Sequence, residues 1–107
     1  MPQTLKPPKE KIYLRRPDHV VWKVLEGKGI LLNLENGAYF EVNPVGLAMW
    51  EKCDGKTETH VLAASISREF GINPQRASRD LSTFTAKLRH RKLLEISDGP
   101  KAVAIQT

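Results

Sequence analysis

The sequence has one cysteine, three histidines and seven aromatic residues among 107, and each scarcity removes a class of protein. A lone Cys53 rules out a disulfide framework and a zinc site built on cysteine pairs. His19, His60 and His90 follow no ligand spacing such as HxxxH, so no metal is expected. No apolar run approaches the ~20 residues of a membrane span. The opening MPQTLKPPKEK lacks the apolar core of a signal sequence, so the expected location is cytoplasmic, without membrane contact. Gly27-Lys28-Gly29 lacks the spacing of a phosphate-binding loop, and no carboxylates are paired for acid–base work. Cys53, beside Asp54 at a helix end, has neither a histidine partner nor a helix N-terminus to activate it. The expectation is a protein with no catalytic residue and no cofactor.

What is present suffices for one small domain. A hydrophobic content of 40% in a chain of this length supports a single core. The net charge of +5 is uneven: residues 1–19 carry +3, residues 20–56 carry −1 and residues 57–96 carry +3. An acidic partner is therefore permitted, either a peptide or a nucleic acid.

The most informative stretch is GILLNLENGAYFEVNPVGLAMW, from Gly29 to Trp50. Strand-like runs Ile30 to Leu34 and Ala38 to Val42 flank Asn36-Gly37, a dipeptide suited to a type I′ hairpin turn. Asn43-Pro44 then pairs a good N-cap with a residue that fits the first helical position. Upstream, VVWKVLE (residues 20–26) reads as a strand ended by Gly27-Lys28-Gly29. Parity puts Ala38, Phe40 and Val42 on the core face of the last strand and Tyr39 and Glu41 on the other.

Three helices should follow. The first runs from Pro44 to about Cys53, with Leu47, Met49 and Trp50 inward and Asp54-Gly55-Lys56 as its stop. The second starts behind Thr57 as N-cap, carries Leu62, Ile66 and Phe70 on one stripe widened by Val61 and Ala63, and stops at Gly71. The third opens on Asn73-Pro74 and runs to about Lys92, with Ala77, Leu81, Phe84 and Leu88 on one face. Leu93 to Ile96 add a short strand or cover the core. The Pro-rich, basic residues 1–19 should form a flexible arm, residues 20–96 the folded domain and residues 97–107 a tail.

Two features suggest binding. If the strand ending at Val42 lies at a sheet edge, its free backbone groups form a template for another peptide. Arg76, Asp80, Thr83 and Lys87 form a polar stripe beside the apolar face of the third helix, which fits the charged rim of a groove against that strand. Trp22 and Trp50 are read as packing residues.

The hairpin, the Asn-Pro-x-Gly-x-x-x-Trp pattern of residues 43–50, the Asp-Gly turn in DGKTETHVLAASISREF, and Asp80-Leu81 followed by Phe84 and Leu88 together resemble the PqqD family. That resemblance covers about Val20 to Ile96. It implies an α+β, winged helix-turn-helix-like fold, a three-stranded antiparallel sheet followed by three helices. It also implies a non-catalytic recognition element that binds the leader segment of a ribosomally made precursor peptide. The leader would add as an antiparallel strand beside Ala38, Tyr39, Phe40, Glu41 and Val42. Arg76, Asp80, Thr83, Phe84 and Lys87 would contact it from the third helix, Phe84 as apolar floor. The implied partners are that precursor and a modifying enzyme, either a leader-cleaving peptidase or a radical S-adenosylmethionine enzyme. The Pro-containing arm and VNPVGLAMW are closer to relatives serving other peptides, including the lasso-peptide branch, than to the quinone-cofactor protein.

Two other classes use the same residues. In a winged-helix DNA-binding protein the third helix would enter the major groove with Arg76 and Arg79, since residues 74–92 hold six Lys or Arg against the single acid Asp80. A structural subunit would only stabilise a partner enzyme.

Overall fold

The computed structural model describes residues 11–99. The order is β1 (Tyr13–Arg15), β2 (Val20–Leu25), β3 (Lys28–Asn33), β4 (Tyr39–Val42), α1 (Pro44–Glu51), β5 (Asp54–Glu58), α2 (Thr59–Phe70), α3 (Pro74–His90) and β6 (Glu95–Ser97). The strands form two antiparallel three-stranded sheets, β2-β3-β4 and β5-β1-β6. The fold is therefore α+β, with three helices as expected and one sheet more than the sequence disclosed.

The first sheet follows the hydrophobic pattern. Leu31 pairs with both Trp22 and Phe40, and Gly29 with Val24 and Val42, so these share one face, on which Leu31, Gly29 and Val42 are buried while Trp22 and Val24 of β2 stay exposed. Tyr39 and Glu41 face the other way and are exposed. The turns are exchanged relative to expectation. Glu26 and Gly27 carry φ of 53° and 80°, the two positive values that a type I′ turn requires, and join β2 to β3 through a two-residue loop. At Asn36-Gly37 only the glycine has positive φ, and the loop is longer. The N–H of Asn33 donates to Ala38 O at 2.8 Å, closing a four-residue loop over residues 34–37.

Both Asn-Pro signals act as read. Asn43 Oδ1 accepts from Gly46 N–H at 2.8 Å, and Asn73 Oδ1 from Gln75 and Arg76 N–H at 2.8 and 3.3 Å. The connection between α1 and α2 departs from expectation. Asp54-Gly55-Lys56 is the start of β5, not merely a stop. Thr57 is not the cap of α2; Glu58 holds that place without a side-chain bond. The Asp54 carboxylate instead accepts N–H bonds from Lys56 and Thr57 at 2.8 and 3.0 Å. Burial alone would raise its pKa, but those donors and the Thr57 hydroxyl stabilise the charged form and together bring it below the ordinary value.

The flexible arm expected over residues 1–19 is corrected within residues 11–19. Tyr13–Arg15 is the central strand of the second sheet, pairing with both β5 and β6, and Leu14 is 1% exposed. Arg16 Nη1 donates to the carbonyls of Trp50 and Glu51 at 2.9 and 2.7 Å, fastening this segment to the end of α1. Of the expected tail, Ser97 closes β6. Residues 1–10 and 100–107 lie outside the described residues. The α2 stripe is narrower than read: Leu62, Ala63 and Ile66 are buried, but Val61 and Phe70 are exposed. Trp50, Leu31, Leu88 and Leu93 centre the core.

A candidate peptide-binding groove

The order β2-β3-β4 leaves β4 at a sheet edge. Asn33 and Ala38 form a hydrogen-bonded pair, and antiparallel ladders alternate. The backbone groups of Phe40 and Val42 therefore turn toward β3, and those of Tyr39 and Glu41 toward the free side. Among the described residues those outward donors and acceptors have no partner, and they border an open groove of about 420 Å³ between β4 and α3.

Its floor and walls come from three elements. Phe40 and Val42 enter from β4, Val45, Gly46 and Met49 from α1, and Phe84 and Leu88 from α3. Phe84 is half-buried, which leaves part of its ring to the groove. Gly46 permits this closeness: a Cβ there would sit 3.1 Å from Val42 Cβ and 3.4 Å from both Asn43 Oδ1 and Phe84 Cε1. The rim is charged. Arg76 pairs with Asp80 at 3.5 Å and Glu41 with Lys28 at 3.7 Å. Arg91 lies with its guanidinium 4.9 Å from the centroid of the Phe40 ring.

Of the ten residues read from the sequence, Phe40, Glu41, Val42, Arg76, Asp80, Thr83, Phe84 and Lys87 line this groove. Ala38 and Tyr39 do not line it. Tyr39 stands on the exposed face of β4, and Ala38 bonds β3 at the loop. Sequence reasoning missed Val45 and Met49, whose i, i+4 spacing on α1 was the available signal. It also missed Ile72, in the α2–α3 connection, which lines the groove, and Arg91, one residue past α3, which does not line it but lies over the ring of Phe40, which does.

The other candidate centres have plain structural roles. Cys53 is buried, its thiol donates to Met49 O at 3.1 Å, and burial pushes its pKa up to about 12, the reverse of an activated nucleophile. His19 donates to Lys92 O at 3.1 Å, and His60 meets Glu58 at 3.1 Å. Among the described residues no three His, Cys, Asp or Glu side chains gather to hold a metal ion, and no helix is long and apolar enough to cross a membrane.

Residues 28–94 match the family described as Coenzyme PQQ synthesis protein D (PqqD). A search of the curated proteins finds no match. Among solved structures, TbiB1 in complex with the TbiA(beta) leader peptide is 27% identical, with a TM-score of 0.69 over 76% of this chain and 94% of that one. A lasso peptide synthetase B1 complexed with the leader peptide shares the fold at 15% identity, with a TM-score of 0.68 over 77% of this chain and 96% of that one.

Proposed function

The chain belongs to the PqqD family, and on that premise we propose that it is a non-catalytic adaptor for the leader segment of a ribosomally made precursor peptide. The observation that carries the reading is the free edge of β4 standing against the open groove on α3. An extended peptide can hydrogen-bond to Tyr39 and Glu41 and set alternate side chains on Phe84, Met49 and Val42. Strand addition explains why so few polar groups are needed. Main-chain bonds supply affinity, the apolar floor supplies selection, and exposed rim charges add only ~0.2–1 kcal/mol per pair. The likeness to TbiB1, solved with a leader peptide, supports this occupant and favours the lasso-peptide branch. The partner that receives the bound precursor is then a leader peptidase in a lasso system, or a radical S-adenosylmethionine enzyme in a cofactor-type system. The buried, pKa-raised Cys53 supports an adaptor without its own nucleophile.

The test is titration of fluorescein-labelled leader peptides, from precursor genes neighbouring this one, against the purified protein, with duplex DNA as a parallel titrant at 50 and 200 mM salt. Leader binding at micromolar or tighter Kd is expected, with Phe84→Asp weakening it at least about tenfold. Tight, steeply salt-dependent DNA binding without leader binding would instead favour the basic α3 as a nucleic-acid reader.

A further inference from the structure

The groove is electrically lopsided. Phe40, near the start of β4, stacks with Arg91, just past the end of α3. Val42, at the end of β4, and Gly46, beyond it, instead line the groove with Phe84, two turns earlier on α3, and a Cβ on Gly46 would lie 3.1 Å from Val42 Cβ and 3.4 Å from Phe84 Cε1. The strand and the helix therefore run antiparallel along the groove, with the α3 C-terminus at the Phe40 end. At the opposite end Arg76 is matched by Asp80 at 3.5 Å. At the Phe40 end stand Lys87 and Arg91, one turn apart on the same side of the helix, and among the described residues no carboxylate pairs with either.

Arg91 is also held in place. The fully buried Asn33 donates through Nδ2 to the carbonyls of Arg91 and Lys92 at 3.4 and 3.1 Å, and His19 holds the Lys92 carbonyl as well. A cation whose backbone is anchored and whose guanidinium rests on a ring loses less freedom on meeting a carboxylate than a free surface arginine.

We propose that Lys87 and Arg91 form a carboxylate-reading subsite that fixes the polarity and register of the docked peptide. This rests on the leader-binding reading above. A strand lying antiparallel to β4 passes the Val42–Phe84 floor first and the Phe40 end later. Only alternate side chains point into the groove. The preferred ligand is therefore a peptide with an apolar anchor followed, two or four residues toward its C-terminus, by Asp or Glu. Acids on the N-terminal flank of the anchor would meet the end where Arg76 is already neutralised by Asp80.

The subsite can be tested without a known leader, using a phage-displayed random dodecapeptide library selected on the full chain. Selected peptides should show Asp or Glu two or four residues after a Leu, Ile, Val or Phe. A representative peptide, resynthesised with a fluorescein label, should bind Arg91→Gln and Lys87→Gln variants roughly three- to tenfold more weakly. Arg79→Gln should bind unchanged, and moving the acid to the N-terminal flank should cost as much as removing it. Selected peptides that bind the Glu41→Pro variant undiminished would overturn edge docking itself. Peptides that need the edge yet show no positioned acid, or acidic sequences enriched without an apolar anchor, would overturn the subsite alone.

Discussion

Asn33 is the only polar residue among the fully buried side chains of the described residues, and its side-chain bonds reach two separate parts of the fold. Its Oδ1 accepts from Glu35 and Asn36 N–H at 2.8 and 3.3 Å, shaping the β3–β4 loop. Its Nδ2 holds the carbonyls just past α3, groups that a helix end leaves without partners. One side chain thus ties the loop that launches the edge strand to the helix that forms the opposite rim. Asn33→Ala should cost about 2 kcal/mol, because it strands buried donors and acceptors on both sides. In a domain this small that corresponds to a fall in Tm of roughly 10 °C. Peptide affinity should fall with it, since Arg91 loses its anchor; thermal melts and the labelled-peptide titration read the two effects separately. An Asn33→Ala protein with unaltered Tm would show that water replaces these bonds.

At the scale of elements, the helix starts and the strand parity were legible because each is written in adjacent residues. Asn43-Pro44 and Asn73-Pro74 specify a cap and a first turn without help from the rest of the chain. Parity likewise placed Phe40 and Val42 inward. The hairpin turns were less legible: both Glu26-Gly27 and Asn36-Gly37 can supply positive φ, and the choice was made by Asn33 capping its own loop. β4 offers a sharp test of the edge. Proline at Glu41 removes an N–H that faces the free side, whereas proline at Phe40 removes one that bonds β3. Glu41→Pro should retain the native circular dichroism spectrum and lose peptide affinity at least about tenfold, while Phe40→Pro should unfold the sheet. Glu41→Ala separates the backbone effect from loss of the Lys28 ion pair, and should bind peptide within about twofold of the parent. Equal peptide binding by Glu41→Pro and Glu41→Ala would remove the edge from the mechanism.

For the whole molecule, the part hidden from sequence reasoning was the second sheet. Tyr13–Arg15 has three residues, too few to show a period, and sits among prolines and basic residues that read as an arm. Asp54–Glu58, with the sequence DGKTE, reads as a turn followed by a cap. Neither segment is a convincing strand alone; they become strands because β1 lies between β5 and β6 and places Leu14 in the core. This has a consequence for where the domain begins. The family match spans residues 28–94, which omits β1, β2 and β6. A chain cut to those residues would lose the central strand of one sheet, an edge of the other, and the buried Leu14 and Val20. It should show no cooperative thermal transition and a flat near-ultraviolet circular dichroism spectrum. Within the full chain, Leu14→Ala should cost about 3 kcal/mol, as a buried leucine does. Leu25→Ala, at a position 48% exposed, should stay within ~0.5 kcal/mol of the parent. If the 28–94 fragment melts cooperatively with native near-ultraviolet signals, β1 decorates the domain and does not complete it. The Arg16 bonds to the end of α1 would then have to be dispensable to the groove that α1 helps to floor.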